Sequence, residues 1–176
     1  MGYSYNILRF VFLTLFSLTI IFINTSLSKE EKIISGKPRV IDGDTIKIND
    51  KSIRLFGIDA PEKKQKCKKS FLKVNFLNFQ KNYSCGSVST KNLKKKIGNK
   101  NIECIFRSED RYGRYLAICY LEKLDINKWM VKNGYALAYK KYSRKYVLQE
   151  QYAKDNKLGI WEGTFVEPEK WRRIMN

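Results

Sequence analysis

The chain has 176 residues, room for one ordinary domain or a small pair. Its 35 lysines and arginines against 17 aspartates and glutamates give a formal charge of +18, and the 43% of hydrophobic residues exclude wholesale disorder. Histidine is absent. That excludes His-based acid–base work, Ser-His-Asp and Cys-His catalytic sets and His-containing zinc sites, leaving carboxylates, Arg, Lys, Tyr, Cys or a hard metal.

Arg9 is the one formally charged residue before Lys29, and Phe10 to Ile23 is an uncharged run of 14 residues. Ser26-Leu27-Ser28 then offers small residues at the two positions a signal peptidase reads. Residues 1–28 therefore read as a secretory signal peptide, with an uncleaved N-terminal membrane anchor as the alternative, since Ile7 to Leu27 spans a bilayer if tilted. Either way residues 29–176 are expected to be exported: secreted, periplasmic or held at the cell envelope. Removing residues 1–28 takes Arg9 alone from the +18 total and leaves +17. Such a balance suits polyanionic partners, namely nucleic acid, an anionic membrane surface or acidic polysaccharide, but it also serves simple solubility.

From Arg39 the pattern reads as strands. Ile46 and Ile48 alternate with Thr45 and Lys47, the period of a half-buried strand. Asn49 to Ser52 is turn chemistry, and Ser52 to Ile58 reads as the returning strand, ended by Asp59-Ala60-Pro61-Glu62. Residues 63–69 form a basic loop holding Cys67. A helix is expected over Ser87 to Ile97, stopped by Gly98; Ile102 to Phe106 and Tyr115 to Leu121 flank a hairpin at Asp110 to Gly113. Asp125 is an N-cap candidate for a short helix that Gly134 ends, and Lys145 to Leu158 reads as a last helix with Leu148 and Tyr152 on one side. The aromatic tail, with Trp161, Phe165 and Trp171, is expected to pack on the body.

Four cysteines in an exported chain suggest disulfides, and no C-x-x-C spacing occurs to suggest a zinc ribbon. In a hairpin centred between Arg111 and Tyr112, facing positions sum to about 223, as Cys104 and Cys119 do. This pairs Cys104 with Cys119 and leaves Cys67 for Cys85.

Three segments place charge where the chain turns: Asp42-Gly43-Asp44-Thr45; Arg54 through Asp59-Ala60-Pro61-Glu62; and Asp110-Arg111-Tyr112-Gly113-Arg114. Each alone is an ordinary charged turn. Together they supply carboxylates for a hard cation, two arginines to clamp a phosphate, and a further carboxylate to orient or deprotonate water. That is a recipe for phosphodiester hydrolysis.

The segments VIDGDTI, RLFGIDAPE and DRYGR, in this order and at these intervals, resemble the staphylococcal nuclease (thermonuclease) family over residues 37–162. The resemblance implies an α+β, mainly β fold, a five-stranded OB-like barrel with three helices, in residues 29–176. It also implies a calcium-dependent endonuclease acting on DNA and RNA, with single-stranded or frayed substrate preferred. Carried over by motif, Arg54 and Arg114 would bind phosphate and Glu62 would be the general base or water-positioning carboxylate. Asp44 and Asp59 would ligate calcium. Ala60 stands where the family typically has threonine, and it keeps the backbone carbonyl that ligates while losing the hydroxyl. Arg111 and Tyr112 fall where the family contacts a terminal phosphate, and Tyr139 aligns with a binding-pocket tyrosine after a one-residue gap. The four cysteines resemble those of an exported bacterial subgroup. A catalytically silent nucleic-acid-binding module of the same fold, at the cell envelope, is the alternative reading; no protein partner or oligomer is indicated.

Overall fold

The computed structural model describes residues 32–74 and 77–175. The signal or anchor segment at residues 1–28 lies outside the described residues.

The elements run β1 (Lys32–Gly36), β2 (Arg39–Val40), β3 (Thr45–Ile48), β4 (Lys51–Leu55), β5 (Ile58–Asp59), β6 (Cys67–Val74) and β7 (Leu77–Tyr83). Then come α1 (Cys85–Ile97), β8 (Ile102–Glu109), β9 (Tyr115–Leu121), β10 (Leu124–Asp125), α2 (Ile126–Lys132) and β11 (Leu137–Ala138). The chain closes with α3 (Val147–Asp155), a 3₁₀ turn at Gly159–Glu162, β12 (Gly163–Thr164) and α4 (Pro168–Met175). The main sheet curls into a half-barrel of order β1-β8-β9-β4-β3-β2, with β10 added against β9.

Its first hairpin follows from the sequence pattern. Asn49 and Asp50 both take positive φ, 47° and 63°, the left-handed pair that closes a two-residue hairpin. The register Ile46↔Ile53 then sends Ile46, Ile48, Ile53 and Leu55 into the core, each at most 1% exposed. Strand β4 runs parallel to β9, with Ile53↔Tyr115 and Arg54↔Leu116. This pairing is what brings the start of β9 beside the end of β4.

Cys104 and Cys119 face each other across β8 and β9, and both are fully buried. They form one disulfide, Cα–Cα 4.0 Å; Cys67 and Cys85 form the other, Cα–Cα 5.6 Å. A bulge between Phe106 and Ser108 shifts the hairpin register by one toward its tip.

Several elements differ from the sequence reading. The returning strand does not run unbroken from Ser52 to Ile58: it stops at Leu55, turns through Phe56-Gly57 and resumes as β5. The basic loop at 63–69 gives way at Cys67 to β6, which pairs with β7 on one side and β12 on the other. The strands thus exceed the five expected, because this three-stranded sheet and short pieces such as β11 add to the barrel. Four helices stand among the described residues instead of three, the fourth being α4 in the tail. In α3 the buried face is Glu150 and Ala153, whereas Leu148 and Tyr152 are exposed. Glu150 is accommodated because its carboxylate accepts the Ala138 N–H and pairs with Lys140 and Lys154.

Candidate active site

Three strand ends meet at one rim of the half-barrel. Asp44 immediately precedes β3, Arg54 lies on β4 opposite Thr45, and Arg114 immediately precedes β9. The Asp42-Gly43-Asp44 bend is closed by its own side chains and backbone. Asp42 Oδ1 accepts the Asp44 N–H at 3.0 Å, and the Leu55 N–H donates to the Asp44 carbonyl at 2.8 Å.

Asp59 is carried back to Arg54 by the Phe56-Gly57 turn. Gly57 has φ +77°, and a Cβ there would sit 3.3 Å from the Tyr146 ring, so both conformation and space call for glycine. Beyond it β5 pairs with β11, Asp59 opposite Leu137. Arg54 then bridges two carboxylates: Nη1 pairs with Asp44 Oδ1, and Nη2 donates to Asp59 Oδ1 at 2.8 Å. Asp44 and Asp59 are only 3% and 4% exposed, so this guanidinium supplies the countercharge that their burial requires. Burial pushes the Arg54 guanidinium down from its ordinary value, opposed chiefly by Asp59. Burial also raises the Asp42 carboxyl, with Arg54 pulling it the other way. Ala60 enters through its backbone, its N–H donating to Asp44 Oδ2 at 2.7 Å.

Glu62 is held by its loop. Its N–H donates to Gln65 Oε1 at 3.1 Å, and the Gln65 N–H donates back to the Glu62 carbonyl at 2.7 Å. Gln65 is fully buried. The start of α1 seals the loop from below, since a Cβ on Gly86 would collide with the Glu62 carbonyl. The Cys67–Cys85 bridge ties the two segments together.

The β8–β9 tip is organised by Asp110. Its Oδ1 accepts the Tyr112 and Arg114 N–H groups at 2.9 and 3.0 Å, and Oδ2 accepts Arg114 Nε at 2.8 Å. Partial burial raises this carboxyl, but the hydrogen bonds from Arg114 and Tyr112 outweigh it and hold it below the usual carboxylate range. Arg111 and Arg114 lie over the exposed Tyr112 ring, 4.8 and 5.5 Å from its centre.

A cleft of about 1270 Å³ gathers most of these groups: Arg54, Glu62, Arg111, Tyr112, Arg114 and Tyr139 all line it. Tyr139, whose placement required a gap in the motif alignment, thus stands in the wall, its ring 4.8 Å from Tyr142. Burial raises its phenol, with Asp59 adding to the effect. Asp44, Asp59 and Ala60 lie behind Arg54 and outside the cleft lining. Among the described residues no three Asp, Glu or Cys side chains gather as a ready metal cluster. Asp59 and Glu62 share one positive partner, a guanidinium that stands between them. Arg172 Nη1 donates to Asp59 Oδ1 at 3.0 Å and Glu62 Oε1 at 2.7 Å, while Nη2 donates to Asp59 Oδ2 at 3.1 Å. The all-oxygen donor set and the cation already seated on it fit a hard divalent ion.

A family model described as staphylococcal nuclease homologue matches residues 52–163. The chain belongs to the staphylococcal nuclease family. It is 34% identical over 165 residues to an uncharacterized endonuclease of Haemophilus influenzae, covering 89% of this chain and 83% of that protein. A second uncharacterized endonuclease, from Escherichia coli O157:H7, is 34% identical over 76% of this chain and 81% of its own. A micrococcal nuclease of Shigella flexneri is 31% identical over 77% and 78% respectively. As a member of the staphylococcal nuclease family, this protein is a hydrolase, an endonuclease that acts on nucleic acid.

Sequence reasoning missed two residues here. Gln65 lay in what read as a solvated basic loop. Arg172 lies past the matched segment, in a tail whose Trp171-Arg172-Arg173 run gave no sign of which arginine turns inward.

Proposed function

We propose that this endonuclease is exported and calcium-dependent, and that it cleaves phosphodiester bonds of both DNA and RNA. One observation carries the reading: a single cleft is lined by Arg54, Arg114 and Glu62, with the buried Asp44–Asp59 pair directly behind. Arg54 and Arg114 approach from neighbouring strands and grip the phosphate oxygens, where planar guanidinium groups match the geometry and offset the charge that builds in the transition state. Glu62, with its backbone fixed by Gln65, receives a proton from the attacking water at its exposed carboxylate edge. Tyr139 offers a ring to an unpaired base of a single strand, and Arg111 and Tyr112 meet a terminal phosphate. Calcium, held by Asp44, Asp59 and the Ala60 carbonyl, would supply Lewis-acid polarisation of a phosphate oxygen. Export is supported by the uncharged run Phe10 to Ile23 and by the two disulfides. The formal charge of +18 favours a polyanionic substrate.

Zymography in gels containing DNA or RNA tests the reading, with calcium and then with excess chelator. Clearing of both substrates in calcium alone is expected. Undiminished clearing in chelator would sink the calcium assignment, and clearing of one polymer alone would remove the dual specificity.

A further inference from the structure

The cation seated between Asp59 and Glu62 is the protein's own. Helix α4 starts at Pro168, whose missing N–H and fixed φ suit a first helical position. The segment is fastened to both walls of the cleft. Gln65 Nε2 donates to the Val166 carbonyl at 2.6 Å, next to the Glu62 loop. Lys141 Nζ donates to Glu169 Oε1 at 3.2 Å, two residues from Tyr139. Below it Phe165 packs edge-on to Trp161, ring centres 4.9 Å apart. One turn into the helix, Arg172 reaches into the cleft, while its neighbour Arg173 stays largely in solvent.

Counting lone pairs shows what this contact does. Asp59 Oδ1 accepts from Arg54 Nη2 at 2.8 Å and from Arg172 Nη1 at 3.0 Å, which uses both of its acceptor positions. Asp59 Oδ2 accepts from Arg172 Nη2, and Glu62 Oε1 from Arg172 Nη1. A divalent ion of calcium's size needs anionic oxygens open at roughly 2.3–2.6 Å. Guanidinium nitrogens at 2.7–3.1 Å from the same atoms occupy that approach. Arginine and divalent cation are therefore alternatives at Asp59, not companions.

We propose that Arg172 is a built-in competitor of the divalent cation: α4 closes the cation-free cleft, and cation binding at Asp59 requires Arg172 to withdraw. The inference rests on the calcium reading above. Arg172 is about one-third exposed, so its side chain has solvent to withdraw into, and a larger movement of α4 would loosen the Val166 and Glu169 contacts as well.

Calorimetric titration of calcium into the metal-free full-length protein tests this directly. Charge-assisted hydrogen bonds at a partly exposed site set the scale, so Arg172→Gln should bind calcium about tenfold more tightly than wild type. Lys170→Gln removes the same charge from an exposed position on the same helix and should change affinity little. Arg172→Lys keeps the charge but loses the fork, and should fall between wild type and Arg172→Gln. Amide hydrogen exchange gives a second readout: calcium should speed exchange over residues 168–175. Equal or weaker calcium binding by Arg172→Gln, equal tightening by Lys170→Gln, or unchanged exchange in α4 while calcium binds would each overturn the competitor role alone. No calcium binding by any of the proteins would overturn the calcium reading and the competitor with it.

Discussion

Replacing Cys67 and Cys85 together by alanine separates what their bridge does for stability from what it does for the site. The two cysteines are 18 residues apart in sequence, and closing a loop of that size restricts the unfolded chain by about 3 kcal/mol. Both are buried, 2% and 1% exposed, in a small cluster with Leu137 and Ile160, so losing two sulfurs adds roughly 1 kcal/mol of packing. For a domain near 150 residues each kcal/mol is worth about 3 °C, giving a fall in Tm of roughly 12 °C. The Cys104–Cys119 bridge spans 15 residues, so its removal should cost about as much through the unfolded chain. Its residues, however, are paired in the centre of β8 and β9, where the ladder holds register without it. Residues 62–66 lie before the β6–β7 ladder, which starts at Cys67, and depend on Gln65, a few contacts with the start of α1 and the bridge. Well below both melting temperatures, therefore, the Cys67/Cys85 variant should lose about tenfold in kcat, the scale of a modest misplacement of a catalytic group. The Cys104/Cys119 variant should keep nearly all of it. Differential scanning calorimetry and steady-state cleavage of a labelled oligonucleotide measure the two effects. Equal activity in the two variants would refute the argument that the bridge positions Glu62.

Glu62→Gln should lower turnover by roughly 10²–10⁴-fold with little change in Tm, because the amide oxygen still accepts from Arg172 while no longer taking a proton; near-wild-type rates would remove Glu62 from the chemistry. Arg54→Lys and Arg114→Lys should both impair cleavage severely, since lysine cannot make two parallel bonds. Their melting temperatures should diverge: lysine at 54 cannot reach both buried aspartates and gives up a charge-assisted contact worth about 2 kcal/mol even if Arg172 still meets Asp59, whereas Arg114 has a single, partly exposed partner. Equal Tm for the two would contradict the bridging role assigned to Arg54. Asp110 has a folded pKa below its unfolded value near 3.9, so its contribution to stability is present above that value and fades as pH falls through the folded pKa. Asp110→Asn should therefore flatten the acid limb of the Tm–pH curve below about pH 4; an unchanged limb would mean the tip does not feel that carboxylate.

Much of the site was legible because its members sit at strand ends marked by local chemistry. Asn49-Asp50 closes one hairpin and sets Asp44 beside Arg54, and Asp110 to Gly113 closes the other with Arg114 at its exit; only the parallel β4–β9 pairing, which no local pattern reports, brings the two together. The Cys104–Cys119 bridge was legible for the same reason, since hairpin register is arithmetic, and Cys67–Cys85 followed as the remaining pair. What failed were segments whose structure is decided by distant partners. In β6, Cys67-Lys68-Lys69-Ser70 has no clear apolar alternation, and it becomes a strand because β7 and β12 flank it and a buried bridge pins its start. In α3, Leu148 and Tyr152 satisfied a helical pattern, yet burial went to Glu150, because only a carboxylate meets both the Ala138 N–H and two lysines. Arg172 belongs to the same class. Its partners lie 113 and 110 residues earlier, and no local periodicity reports that distance.

The countercharges in the site explain why its arginine chemistry and its cation chemistry depend on one another. Asp44 and Asp59 are deeply buried, and in the cation-free chain Arg54 faces both with its guanidinium. A guanidinium committed to two carboxylates has fewer donors left for a phosphate. Arg54 can turn its full fork to substrate only if another positive charge takes over at the aspartates. Arg172 is placed to share that load at Asp59, but it does so by covering the oxygens themselves and filling the space beside Glu62. On the calcium reading, a divalent cation would relieve both arginines at once: it would neutralise the buried pair with twice the charge and leave the donors of Arg54 and Arg114 facing the cleft. If that exchange occurs, a His-free inventory suffices for hydrolysis: each carboxylate keeps a positive partner throughout, and replacing guanidinium by cation is the step that opens the site.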